Sequence, residues 1–407
     1  MRTVPRPGYR RLLETRLGRF PAVVFLGPRQ CGKSTLARTL RPSRPGRTVA
    51  FDLERPSHLL RLRAAPEEDL GALQQRPGLI LIDEIQREPS LFPLLRVLLD
   101  DSRRRARYLL LGSASPDLIK GASESLAGRV GYLDLTPFLA AEVGRTPARL
   151  RRLWLRGGLP RSFLARSEAA SLEWREAYLR ALLERDVPAV RPGLEAATLT
   201  RLVTMLAHLH GGLVNESELA GGLGVTAPTV GRYVDVLEGL FVVRRLPPYF
   251  ANVGKRLTKA PRVYFRDTGL LHALLGVADP DGLRGHPKVG ASWEGFVIEQ
   301  ILGALGQARV SPRAFFWRTH GGAEVDLILE MGGTILPIEV KLSGSPVVSR
   351  GLLECMKDLS CPLAFVVHGG EDEFPLGQGV RALPARLLAT PDRLRDSLLH
   401  PRRRRGR

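Results

Sequence analysis

The stretch GPRQCGKST, residues 27–35, places Gly27, Gly32, Lys33 and Ser34 at the spacing G-x-x-x-x-G-K-[ST]. Each residue type has a use in holding phosphate. The glycines let backbone N–H groups approach phosphate oxygens, and a helix starting at the loop's end adds its positive pole. The lysine reaches the terminal phosphates and the hydroxyl ligates magnesium. The loop residues Gly27, Pro28, Arg29, Gln30, Cys31, Gly32, Lys33, Ser34 and Thr35 therefore form a candidate cradle, with ATP and Mg²⁺ as expected cofactors. A plain glycine-rich turn is the competing reading. Against it, only seven of the 61 basic residues are lysines, so a lysine at this position is not a by-product of composition.

Some fifty residues later, LILIDEIQ ends an apolar run on Asp83 and Glu84. An aspartate there can hold the magnesium shell, and the adjacent glutamate can orient or activate the attacking water. Acids after a strand are weak evidence alone, because turns favour them; after a phosphate loop they point to hydrolysis as well as binding. RYLLLGSAS then offers Ser113 at another strand end, able to read the γ-phosphate or the water. SLAGRV offers Arg129, which would stabilise transition-state charge in cis or from a neighbouring subunit, or is simply a surface arginine.

A second set of chemistry-bearing residues lies in GGAEVDLILEMGGTILPIEVKLSG and the helix-patterned GASWEGFVIEQILGAL before it. Glu294, Asp326, Glu339 and Lys341 occur in the order helix-E, strand-D, strand-ExK. Converging carboxylates can hold Mg²⁺ against a phosphodiester, and a lysine beside them can orient the nucleophile or neutralise the phosphate. Glu339 and Lys341, two apart on a strand, share a face. Glu299, on the same helix as Glu294, competes as the first acid. The competing reading makes these strand-end acids and a surface lysine. The order of all four resembles the PD-(D/E)xK nuclease superfamily, which implies a restriction-endonuclease-like fold with or without cleavage.

NESELAGGLGVTAPTVGRYVDVLEGLFVVRRL reads as helix, turn, helix. Leu219 and Leu223 lie on one apolar stripe and Val230, Val234 and Leu237 on the next. Thr226, Thr229, Arg232 and Tyr233 are left facing outward near the N-terminal half of the second helix, where groove-reading side chains sit. The following PPYFANVGKRLTKAPRVYF would form a wing carrying Lys255, Arg256, Lys259 and Arg262. DNA is the expected partner of this winged helix-turn-helix, with the wing residues on phosphates; a protein partner is the alternative.

These residues need elements to hold them. PAVVFLG, RTVAFDL, GLILIDE and RYLLLGS are apolar runs separated by amphipathic stretches, the pattern of a parallel sheet covered by helices. The expected architecture is α/β: an ATPase domain with a P-loop NTPase parallel sheet over 1–140, a helical segment over 141–214, the winged helix over 215–275, a restriction-endonuclease-like α/β domain over 285–390, and a basic tail over 391–407. The closing PRRRRGR is disordered by composition. Four-hundred-odd residues with 44% hydrophobic content can bury two or three such cores. The net charge of +20 invites a nucleic-acid reading, but the excess is nearly all arginine beside abundant alanine, glycine and proline, so coding bias explains it equally well. Three cysteines match neither a zinc site nor a disulfide framework. No apolar run approaches the roughly 18 residues of a membrane span, and the N-terminus lacks a secretory apolar segment, so a cytoplasmic protein without membrane contact is expected.

GPRQCGKST, LILIDEIQ, LLLGSAS and SLAGRV together resemble the AAA-type ATPases (AAA_14) that prokaryotes carry joined to a C-terminal DUF4143 domain. LWLRGGLPRSF, YLRALLERDV, YFRDTGLL, WEGFVIEQIL and PIEVKLSG agree, over roughly residues 15–370. The resemblance implies ATP hydrolysis, makes Ser113 a sensor, and lets Arg129 act across a subunit boundary, with self-association left open. The function expected is an ATPase that couples nucleotide state to DNA binding and to Mg-dependent DNA cleavage. The alternatives are a DNA-binding regulator that does not cut, or an ATPase acting on a protein partner.

Overall fold

The four apolar runs before residue 115 become strands β1 (Ala22–Leu26), β2 (Arg47–Asp52), β3 (Gly78–Asp83) and β4 (Ala106–Gly112). A fifth, β5 (Val130–Asp134), begins directly after Arg129. They form one five-stranded sheet in the order β2-β3-β4-β1-β5, with every neighbouring pair parallel. The central strands read as unbroken apolar runs because helices cover both faces; β1 is buried at every position. The helix Leu91–Asp100 shows the covering logic: Leu91, Phe92, Leu95, Leu98 and Leu99 fall on one stripe and are buried. The register sets Leu26 beside Gly112 and Asp134, and Asp52 beside Asp83, so the strand ends that carry the candidate residues lie along one edge.

This computed structural model describes residues 3–40, 46–115, 126–191, 193–249 and 260–399. They divide into two compact units, one chiefly Thr3–Pro137 and the other from Phe138 onward apart from Gly239–Phe241. Lys255, Arg256, Lys259 and the closing PRRRRGR lie outside the described residues. Among the described residues, no helix is long and apolar enough to cross a membrane. Cys31, Cys355 and Cys361 are free and buried.

The second unit opens with helices, among them Pro147–Arg156, Glu168–Ala181 and Ala196–His208. Two more, Glu216–Leu223 and Ala227–Gly239, follow, turned about Gly224 in the left-handed region at φ 70°. Leu219, Leu223, Val230, Val234 and Leu237 are all buried, as the apolar stripes predict. An antiparallel pair comes next, β6 (Val243–Leu246) with β7 (Arg262–Phe265). The long helix Val289–Gln307 then leads into a six-stranded mixed sheet of β8 (Arg313–Arg318), β9 (Glu324–Met331), β10 (Thr334–Lys341), β11 (Ala364–His368), β12 (Phe374–Gly377) and β13 (Val380–Pro384). The strand order is β12-β13-β11-β10-β9-β8. Gly332 and Gly333, both at positive φ (54° and 84°), make the two-residue turn that sets β9 antiparallel to β10. The helix Arg350–Asp358 then returns the chain to β11, parallel to β10. Trp317, Val325, Ile328, Leu352, Cys355 and Val366 are core residues beneath it.

One boundary is corrected. Pro391–Leu399, assigned to the tail from its charge, is a helix that buries Leu394 and Leu398. Leucines four apart give it an apolar stripe that the surrounding arginines and aspartates disguise.

Candidate functional site

The loop after β1 has the backbone its glycines predict. Gly27 sits at φ 151°, and a Cβ there would meet the Leu135 carbonyl oxygen at 2.3 Å. Gln30 (φ 58°) and Gly32 (φ 102°) are also left-handed, and a helix starts at Lys33. Lys33 is 5% exposed, and its Nζ donates to the carbonyls of Gly27 (2.8 Å) and Pro28 (3.0 Å). Cys31 is fully buried beneath the loop, Arg29 faces Glu54 at 3.7 Å, and Thr35 is exposed.

Across the sheet edge, Ser34 hydrogen bonds to Asp83, pairing the two residues expected to share a metal. Burial pushes the Asp83 carboxyl up from its usual range, while the Ser34 hydroxyl and the Lys33 charge hold against it. Glu84 stands in the left-handed region at φ 58°. Its Oε2 accepts from Ser113 Oγ at 2.9 Å and from the Gln86 amide, which also donates to Ser113 Oγ at 2.9 Å. Ser113 and Glu84, 29 residues apart in sequence, are thus brought into direct contact. Gln86 is a partner that sequence reasoning missed, although its place two residues after Glu84 was the available signal.

Arg6 was also missed. Although only 6% exposed, it donates from Nη1 to the carbonyls of Cys31 (3.2 Å) and Thr136 (2.9 Å) and from Nη2 to that of Pro137 (3.2 Å). One guanidinium thereby clamps the loop to the chain leaving β5, and it lies over the Tyr9 ring at 4.7 Å.

The register corrects the in-cis role for Arg129. Val130 pairs with Ala22 and Asp134 with Leu26, so Arg129 lies at the sheet edge opposite the loop. Five residues of strand separate the two, about 16 Å. Its guanidinium instead makes a bidentate pair with Asp100, at 2.7 and 2.8 Å.

In the second unit, Thr226 and Arg232 are exposed at the start of the helix Ala227–Gly239, and Arg232 donates to Thr229 Oγ1 at 3.0 Å. Tyr233 is corrected from outward-facing to buried: it is 4% exposed and its hydroxyl accepts from the Glu195 N–H at 3.0 Å. Spaced three residues from Val230, it falls within the apolar stripe. Arg262 is corrected too. At 4% exposed it has no route to a phosphate. Its Nη2 meets Glu324 at 2.6 Å, and its Nη1 meets Glu294 at 3.3 Å and Asp326 at 3.6 Å.

Glu294 and Asp326 are therefore brought together, and Glu339 and Lys341 lie within electrostatic reach of Asp326. They are not open ligands, however. Glu294 also accepts from the Tyr264 hydroxyl, Asp326 Oδ2 accepts from the Val340 N–H at 2.9 Å, and Glu339 is held by Lys341 (2.6 Å) and Ser349 (2.8 Å). Among the described residues, no group of three or more His, Cys, Asp or Glu side chains is arranged to hold a metal ion. The residues present do not fit the metal expected here. Burial and the Asp326 charge push Glu294 well above the usual carboxylate range, and burial raises Asp326 as well. Glu299 is excluded as the first acid: it pairs with Arg244 and, at 3.4 Å, with Arg266.

Three family models match in succession: an AAA domain over residues 19–144, a domain of unknown function (DUF8612) over 147–281, and a domain of unknown function (DUF4143) over 289–388. Uncharacterized protein Mb2031c of Mycobacterium bovis and uncharacterized protein Rv2008c of Mycobacterium tuberculosis are each 46% identical over 378 residues, covering 93% of this chain and 83% of the relative. The chain belongs to their family. Among solved structures, the Walker-type ATPase paby2304 of Pyrococcus abyssi matches 67% of this chain and 96% of its own, at 15% identity and a TM-score of 0.47. The AAA match falls on the parallel-sheet unit with its phosphate loop and supports ATP binding.

Proposed function

We propose that this chain is a Mg-dependent ATPase whose nucleotide state sets the DNA affinity of its C-terminal unit. The observation that carries hydrolysis is the Glu84 carboxylate. It is presented at the end of β3 in hydrogen bonds to Ser113 and Gln86, next to the Ser34–Asp83 pair. In this reading Lys33 leaves the Gly27 and Pro28 carbonyls for the terminal phosphates, and the loop N–H groups line the remaining oxygens. Ser34 and Asp83 would hold the Mg²⁺ that accompanies ATP, which supplies neutralisation of developing phosphate charge. Glu84 orients the attacking water and accepts its proton, with Ser113 fixing the carboxylate's direction.

For DNA, support comes from the element order: three helices followed by the β6–β7 pair, with Thr226, Thr229 and Arg232 at the start of the helix a winged helix would use for reading. The order helix, β8, β9, β10, helix, β11 supports the restriction-endonuclease-like reading of the C-terminal fold. The ion pairs around Arg262 favour the version of this function without DNA cleavage.

Two measurements test the proposal. Phosphate release should require Lys33 and Glu84, with Lys33→Ala losing nucleotide binding and Glu84→Gln retaining it. Fluorescence anisotropy of labelled duplex DNA should show an affinity that changes between ATP- and ADP-bound protein. Hydrolysis unaffected by either substitution would sink the first half; no DNA affinity at low salt would sink the second and point to a protein partner.

A further inference from the structure

The cluster around Arg262 holds a cation already, and the cation belongs to the chain. Arg262 is the first residue of β7, and three carboxylates from two other elements surround it: Glu294 from the helix Val289–Gln307, and Glu324 and Asp326 from β9. Its guanidinium is also 5.0 Å from the Phe316 ring centroid. The remaining acid of the ExK pair, Glu339, has its own cation in Lys341 at 2.6 Å, and Glu324 has a second in Arg318 at 3.8 Å. Four carboxylates are thus matched by three fixed positive charges, and the Tyr264 hydroxyl donates to Glu294 as well. A divalent ion entering this cluster would have to displace a buried guanidinium and break its pairing with three carboxylates.

We infer that Arg262 stands in the position a metal ion would take among Glu294, Glu324 and Asp326, making this cluster a metal-free ion-pair lock. The lock also fastens the β6–β7 pair to the C-terminal sheet. Five residues along the same helix the pairing is inverted, with one carboxylate, Glu299, held by two arginines, Arg244 and Arg266. The inference rests on the ion pairs themselves and stands whether or not the C-terminal fold is restriction-endonuclease-like. A cleft of about 530 Å³ lined by Thr319, Gly322, Glu324, Glu339 and Ser349 adjoins the cluster and gives small ions a way in.

The test uses the full chain without nucleotide and Mn²⁺ as the probe, with free Mn²⁺ read by electron paramagnetic resonance. Wild type should bind no Mn²⁺ at this cluster. Arg262→Met should bind one ion at least tenfold more tightly, and Arg262→Met/Asp326→Asn should lose it again. Thermal unfolding supplies a second readout that holds even if the single variant folds poorly. If Arg262 balances the acids, the double variant must be more stable than Arg262→Met alone, because it removes one repelling carboxylate. Mn²⁺ binding by wild type that Asp326→Asn abolishes would overturn the inference. So would a folded Arg262→Met protein with no gain in Mn²⁺ affinity, or a double variant no more stable than the single.

Discussion

Glu84→Gln changes one oxygen for a nitrogen at the residue on which the proposed hydrolysis depends. The Glu84 carboxylate accepts from Ser113 Oγ at 2.9 Å and from Gln86. A glutamine keeps the shape and one acceptor oxygen, so it can retain the Ser113 bond, and the fold loses at most about one hydrogen bond, roughly 1 kcal/mol. What it cannot do is accept a proton from water. General-base catalysis contributes about 10²–10⁴-fold, so turnover should fall by that factor, roughly 3–5 kcal/mol of barrier at 1.36 kcal/mol per tenfold. ATP affinity should stay within about threefold, because the phosphate contacts come from the loop and Lys33 rather than from Glu84. The assay is single-turnover phosphate release alongside equilibrium binding of a fluorescent ATP analogue. ATP should remain bound long after wild type has turned over. Wild-type turnover in the Glu84→Gln protein would remove Glu84 from the reaction, and Asp83 with a bound water would become the next candidate.

Gly27→Ala should abolish ATP binding in a filter assay while leaving the sheet folded, since its Cβ would meet the Leu135 carbonyl oxygen at 2.3 Å. Arg129→Ala in dilute protein should leave turnover within about twofold of wild type, because Arg129 lies at the opposite sheet edge, roughly 16 Å along the strand from the loop. A large loss would mean the protein assembles and that Arg129 serves a neighbour's nucleotide. Arg232→Ala should weaken DNA binding in anisotropy titrations. If Arg232 touches phosphate, the slope of log affinity against log salt should shrink by about 0.9.

The phosphate loop was fully legible because its residues are contiguous, and contiguity lets spacing stand in for geometry. Ser113 was legible as a strand-end polar residue, but its contact with Glu84 is a product of sheet order that spacing does not encode. Arg6 carried no readable signal at all: it is one of 54 arginines, and its three acceptor carbonyls at residues 31, 136 and 137 are backbone atoms. Arg262 was misread for a physical reason. It closes a run of four basic residues in eight, and a charge run suggests a solvated face. Yet RVYF is a strand whose alternate residues Arg262 and Tyr264 both meet Glu294, while His210 Nδ1 accepts from the Phe265 N–H at 3.0 Å. Period-two alternation in four residues was the available clue, and the neighbouring charges masked it.

The two buried histidines of the second unit allow one more prediction to be worked through. His210 is 1% exposed and His272 fully buried. Burial pushes His210 down to about 3 and His272 down to about 4, with the charge of His272 adding to the effect on His210. An unfolded histidine titrates near 6.5. Between pH 6.5 and these lower values the unfolded chain therefore binds protons that the folded unit does not. The sign follows from linkage: stability from these groups is fully present above about pH 6.5 and is lost as pH falls toward 4 and then 3. His210 Nδ1 accepts from the Phe265 N–H, so a proton placed there would have to break that bond. His272 bonds the Leu155 carbonyl at 2.8 Å and Ser292 Oγ at 2.7 Å, and its neighbours Arg175 and His286 oppose a positive charge. Thermal unfolding measured from pH 7.5 to 4.5 should show the second unit's midpoint falling with acidification. His210→Gln/His272→Gln should be less stable at pH 7.5 yet show a flatter profile. A double variant whose midpoint falls as steeply as wild type over that range would place the acid sensitivity elsewhere, and Glu299, whose carboxyl Arg244 and Arg266 hold below the usual range, would then be the group to examine.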